Sequence, residues 1–172
     1  MRTIYLVLLL VALGLEASGD EPSVSSPDGR YILRLFHKAN SIFPVIFLKD
    51  TRTGGETEVF DYESVDEGTT DLDAIWSPDS RHVAIDVRNG PATHMCVAYL
   101  VKNGQAREIE FLPIRKSLDA TRHNFRGGTF GDHWEDNQTL WVGDTQKFRT
   151  FRYRLTKKGK LLTIGFKAND PY

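Results

Sequence analysis

The chain has 172 residues, 40% hydrophobic and 26% charged, with a formal net charge of −1 and one cysteine, Cys96. A lone cysteine excludes an intrachain disulfide and a cysteine-based zinc site. The length fits one domain large enough to bury its own core.

The charge is uneven. Asp20 to Ser80 carries 13 acidic and 5 basic residues, whereas Arg81 to Tyr172 carries 9 acidic and 16 basic. Either the two ends of one fold neutralise each other, or the molecule associates head to tail or offers a basic face to an anionic partner.

Residues 1–19 read as a secretory signal: Arg2, an apolar run from Ile4 to Leu15, then the small-residue site Ala17-Ser18-Gly19. The run is too short for a membrane span, so the expectation is no transmembrane segment and a secreted or periplasmic product. Residues 20–172 form the single domain.

Three copies of one pattern follow. The first, residues 22–60, has a corner at Ser26-Pro27-Asp28-Gly29-Arg30, strands at 31–36 and 45–50, a glycine turn at 53–55 and a strand at 56–60. Proline presets φ for a turn, serine and aspartate bond nearby amides, and Gly29 suits a left-handed closing position. The second copy, residues 72–111, repeats the corner as Trp76-Ser77-Pro78-Asp79-Ser80-Arg81. There Val83, Ile85 and Val87 alternate with His82, Ala84, Asp86 and Arg88, predicting a strand with one buried and one solvated face. Strands at 95–101 and 106–111 flank a turn at Lys102-Asn103-Gly104. The third copy, residues 129–166, is degenerate. It has an entry strand ending at Trp134, a turn at 135–138 in which Asn137 takes the aspartate's place, strands from Leu140 and at 151–155, a turn at 157–160 and a strand at 161–166.

Each copy reads as a four-stranded antiparallel meander, the unit of a propeller blade. The predicted class is all-β with about three such repeats, a partial or irregular propeller, with a β-sandwich or barrel as the alternative. Three open repeats leave strand edges that a second copy, a barrel-like closure or the connecting loop 112–128 would cover.

The motifs at Ser26–Arg30 and Trp76–Ala84 resemble the SPDG-type propeller repeat of the Tol-associated periplasmic propeller and of prolyl-oligopeptidase-type propeller domains. The resemblance implies blade hairpins and no reaction, since the catalytic machinery of the latter enzymes lies in a separate domain. Members of this type carry six or more blades, so three copies leave ring closure open.

The richest side-chain constellation lies in and just after the connecting loop. Arg115, Arg122, His123, Arg126, Asp132 and His133 are the candidate binding residues, because arginines near a glycine pair can hold a carboxylate or phosphate. His123, Asp132 and His133 match no familiar metal spacing. His82 and Asp86 read as a solvated strand face, and Cys96 as a buried thiol. Neither a Gly-x-Ser-x-Gly elbow nor a nucleotide-type glycine loop is present in the sequence, and no cofactor or metal is expected. In the basic run Arg149 to Lys160, alternation buries Phe151, Tyr153 and Leu155 and turns Arg152 and Arg154 outward. A secretory signal makes nucleic acid an implausible target for that run. The expectation is a non-enzymatic binding module for a protein or an anionic glycan, with a homo-oligomer possible. The alternative is a small secreted hydrolase, with or without a metal, using His123, Asp132 and His133.

Overall fold

A computed structural model describes residues 21–38, 43–61, 72–88, 94–112, 129–144 and 149–168. The proposed signal and the loop residues Arg115, Arg122, His123 and Arg126 lie outside the described residues, as does most of the 112–128 connection.

Among the described residues, twelve strands form three four-stranded antiparallel meanders, and a thirteenth joins the third in parallel. The first sheet is β1 (Ser23–Ser25), β2 (Tyr31–His37), β3 (Pro44–Asp50) and β4 (Glu56–Asp61). The second is β5 (Asp73–Trp76), β6 (His82–Arg88), β7 (His94–Lys102) and β8 (Gln105–Ile109). The third is β10 (Thr129–Trp134), β11 (Thr139–Asp144), β12 (Arg149–Leu155) and β13 (Leu161–Ala168), with β9 (Phe111–Leu112) added beside β13. The strands expected in each copy are therefore present, in blade-like sheets. One correction concerns the end of the second copy. The strand expected over 106–111 stops at Ile109, and Phe111–Leu112 crosses to pair parallel with Leu161 and Leu162. There the Phe111 ring meets Tyr153 edge-on at 5.0 Å.

The corners show why the chain turns where it does. In the first, the Ser26 hydroxyl accepts the Tyr31 N–H at 2.9 Å and donates to Asp28 at 2.7 Å, while Asp28 accepts the Arg30 N–H at 3.0 Å. These bonds hold the Asp28 carboxyl below its ordinary range, the Ser26 bond most strongly. The second corner repeats them through Ser77 and Asp79. In the third, the hairpin is one residue shorter. Asp136, not Asn137, closes the turn by accepting the Gln138 N–H at 2.7 Å, which corrects the alignment expected from sequence.

Asn137 is released for a different task. The Asp28 N–H donates to the Ser80 hydroxyl of the second sheet at 3.0 Å, and the Asp79 N–H donates to the Asn137 side-chain oxygen of the third at 2.9 Å. The first and second corners are thus each tied to the residue after the aspartate in the next sheet. Ser80 holds φ 60° to make its tie; Gly29 holds φ 67° at the same place in the first sheet.

A second coupler repeats beside the first. Trp76 of the second sheet stacks on Tyr31 of the first at 6.2 Å, and Trp134 of the third packs on His82 of the second at 5.5 Å. Between these seams the second sheet is buried on both faces. Val83, Ile85 and Val87 pack with Leu33, Leu35, Ile46 and Leu48. Ala84, Cys96 and Ala98 pack with Leu140, Val142, Phe151 and Leu161. The expected solvated face of β6 is thus corrected: His82 is 6% exposed and Ala84 1%, because the third sheet covers them. Cys96 is buried as expected, and burial pushes its thiol well above the ordinary range.

His82 gives this seam a pH dependence. Its Nδ1 is buried without a hydrogen-bond partner, and Asp79 stands 3.9 Å away. Burial holds the imidazole below its ordinary value; Arg81 adds to the effect and Asp79 opposes it. The unfolded chain therefore takes up this proton before the folded one does. Stability from this group is full above about pH 6.5 and is lost as pH falls from there toward the lower folded value. Denaturant midpoints between about pH 7 and pH 5 are expected to fall in the wild type and to fall less in His82→Tyr, which copies Tyr31. An equal fall in both would refute the assignment.

Candidate functional site

Of the six candidate residues, only Asp132 and His133 lie among the described residues, and both are exposed. Asp132 sits at a register shift in β10, between Gly131 and His133. Its carboxylate lies 3.2 Å from His133 Nδ1.

The pairing of the third sheet brings His133 together with residues that the sequence does not join to it. His133 pairs with Trp141 on β11, and Trp141 with Arg152 on β12. Side chains of such partners share a face. The imidazole stacks near the indole at 6.1 Å, and the Arg152 guanidinium lies 5.7 Å from the indole centroid. Glu135, in the corner, ties the row. It accepts from Trp141 Nε1 at 2.9 Å and from Arg152 Nε at 2.8 Å, with Arg152 Nη2 on its other oxygen. The Arg152 bonds, then Trp141, hold the Glu135 carboxyl below its ordinary range.

This row lies on the outer face of the third sheet. Phe151 and Tyr153 point into the core, as alternation predicted, while Arg154 is exposed. Across the row β13 presents Gly165, where an added Cβ would meet nothing within 4 Å. Leu162, partner of Arg154, is 41% exposed. The face combines a clamped planar cation, an indole and an imidazole with one ring nitrogen held by Asp132. Such groups recognise planar anions and sugar or peptide edges. The sequence signal for Trp141 and Glu135 was absent, because their role depends on cross-strand register.

Away from this face, a concavity of about 350 Å³ lies where the first strands of the sheets meet, lined by Val24, Asp73, Ile75, Asp86 and Gly131 among others. Asp86 accepts the Gly131 N–H at 2.6 Å. It therefore ties the second sheet to the third, and His82 faces that same sheet. The His82–Asp86 strand face, expected to be solvated, is part of a seam. Among the described residues no cluster of three or more His, Cys, Asp or Glu side chains is placed to hold a metal ion, and no helix is long and apolar enough to cross a membrane.

No family model matches the chain, and no curated protein matches it. Solved structures do. The chain is similar to TolB from Acinetobacter baumannii at 15% identity and TM-score 0.46, covering 87% of this chain and 34% of that one. It is similar to a 6-phosphogluconolactonase-like protein from Bacteroides uniformis at 13% identity and TM-score 0.49, covering 88% and 42%. A periplasmic gluconolactonase from Pseudomonas aeruginosa matches at 14% identity and TM-score 0.45, covering 87% and 41%. The chain thus spans between about a third and two fifths of these proteins' length. At such identities the likeness concerns fold alone, and the architecture rests on the strand pairing above.

Proposed function

We propose that the chain is a non-enzymatic binding module of the cell exterior or periplasm, which offers the outer face of its third sheet to an anionic glycan or an acidic protein surface. The observation that carries this reading is the row His133–Trp141–Arg152, held in place by Glu135 on an exposed face. Prearranged groups of this kind lose little side-chain freedom on binding. Arg154, Lys157 and Lys158 are exposed in the same sheet and its β12–β13 turn, so the surroundings favour a negative ligand. In sequence, the arginines at 115, 122 and 126 lead into β10, which carries Asp132 and His133. The signal-like leader supports the location.

Titration with a uronic-acid polymer and with a neutral polysaccharide of equal length tests the proposal. The acidic polymer is expected to bind, and Arg152→Ala/Arg154→Ala to weaken it about tenfold, which is about 1.4 kcal/mol. Binding that is equal for both polymers, or unchanged in the variant, would refute it. The hydrolase reading keeps one observation in its favour, the 3.2 Å contact of Asp132 with His133. Stoichiometric transition metal in purified protein, lost in His133→Ala, would favour that reading.

A further inference from the structure

We propose that the outer faces of the first and third sheets are caps, so that the three-sheet stack does not complete a ring with a second copy of itself. The inference does not depend on what the third sheet binds.

The strand registers make residues in the three sheets equivalent. Ser25, Trp76 and Trp134 pair with Ile32, Val83 and Leu140 respectively. Counting from these, Tyr31, His82 and Thr139 correspond, as do Arg34, Ile85 and Val142. At both interior seams the same parts recur. A tryptophan of the later sheet lies on a ring of the earlier one, and a corner N–H donates to a side chain of the later corner. Aliphatic residues at the Ile85 and Val142 positions fill the space between.

The side chains that make those couplers are replaced on the outer faces. On the first sheet, Ser25 stands where the tryptophans are, and Gly29, without an acceptor, stands where Ser80 and Asn137 are. Arg34 takes the place of Ile85 and Val142, paired to Glu21 and at 3.0 Å to Glu56. On the third sheet the fully buried Thr139, whose hydroxyl donates to Asp136 at 3.2 Å, stands at the place of the ring, and Arg152, bound to Glu135, stands at the place of Leu48 and Ala98. Laying the third sheet of one copy on the first sheet of another would desolvate these ion pairs and form neither coupler. Apolar groups share these faces: Phe36, 40% exposed, with Phe47 on the first, and Leu162, 41% exposed, with Trp141 on the third; but the central cross-strand partners of Phe47 and Trp141 are the charged Arg34 and Arg152. Polar outer faces on terminal repeats are what prevent an open array from stacking further.

Light scattering on the full chain at about 100 µM, a concentration that populates even weak complexes, decides the matter. The mass of one chain is expected. Arg34→Ile/Arg152→Leu, which gives the outer faces the character of the interior ones, is expected to raise the mass to that of two chains or more. A wild-type dimer would overturn the proposal, whatever the variant does. So would a variant that keeps its β-sheet circular dichroism and stays monomeric. Arg34→Lys/Arg152→Lys keeps both charges and is expected to remain at one chain, so dimerisation of that pair would also count against it.

Discussion

Trp134→Ala is expected to lower unfolding free energy by about 3–5 kcal/mol and the melting temperature by roughly 10 °C or more. The side chain is 8% exposed, its ring covers His82, and its Nε1 donates to the Ile75 carbonyl at 3.2 Å. Truncation opens a cavity in the seam between the second and third sheets and leaves that carbonyl unmet. Trp76 stands at the equivalent place in the preceding seam, but its Nε1 is buried without an acceptor. Replacing an indole by a phenyl ring therefore has different consequences at the two sites. Trp134→Phe is expected to cost about 1–3 kcal/mol, because a made hydrogen bond is lost, whereas Trp76→Phe removes an unmet donor and stays within about 0.5 kcal/mol of wild type. Denaturant midpoints with unchanged m-values measure both. Equal losses at Trp76 and Trp134 would show that the indole nitrogens play no part.

The contrast between those tryptophans marks what was legible in the sequence. Each ends an entry strand ahead of a turn, and that local pattern sufficed to place β5, β10 and the corners. Alternation in β12 agrees with the structure because one of its faces meets the core and the other meets water. The same rule misjudged β6. Positions 82, 84 and 86 carry a histidine, an alanine and an aspartate, which look like a wetted face. They are instead small or polar because tryptophan and glycine from the third sheet press against them: Trp134 over His82, and Gly131 bonded to Asp86. A contact between sheets leaves no periodicity within one strand.

The candidate site was legible only in part for a similar reason. Asp132 and His133 stood out as a titratable cluster next to the long connection. Trp141 and Glu135 did not, because the row they form depends on which residues face one another across β10, β11 and β12. The shift at Asp132 sets that register, and a one-residue slip would turn His133 to the other face. Asn137 shows the limit at the smallest scale. Sequence places it as the turn-closing residue, but the shorter hairpin passes that role to Asp136 and leaves Asn137 to bond the neighbouring corner.

Double-sided burial of the second sheet makes its own quantitative demand, which Ile85 and its counterparts meet unequally. Ile85 is fully buried against the first sheet, with Leu33, Leu35 and Val97 in the same cluster. Ile85→Ala is expected to cost about 2–5 kcal/mol, the range for a buried aliphatic whose cavity cannot collapse. Arg34, the equivalent residue of the first sheet, is a third exposed, and its ion pairs with Glu21 and Glu56 are open to solvent. Arg34→Ala is expected to cost less than about 1 kcal/mol. If the three sheets were alternative copies of one environment, the two substitutions would cost alike; if the second is the filling between the others, they differ severalfold. Chemical unfolding of the two variants under one set of conditions measures this directly. Near-equal losses would mean that the first sheet does not cover the Ile85 face of the second.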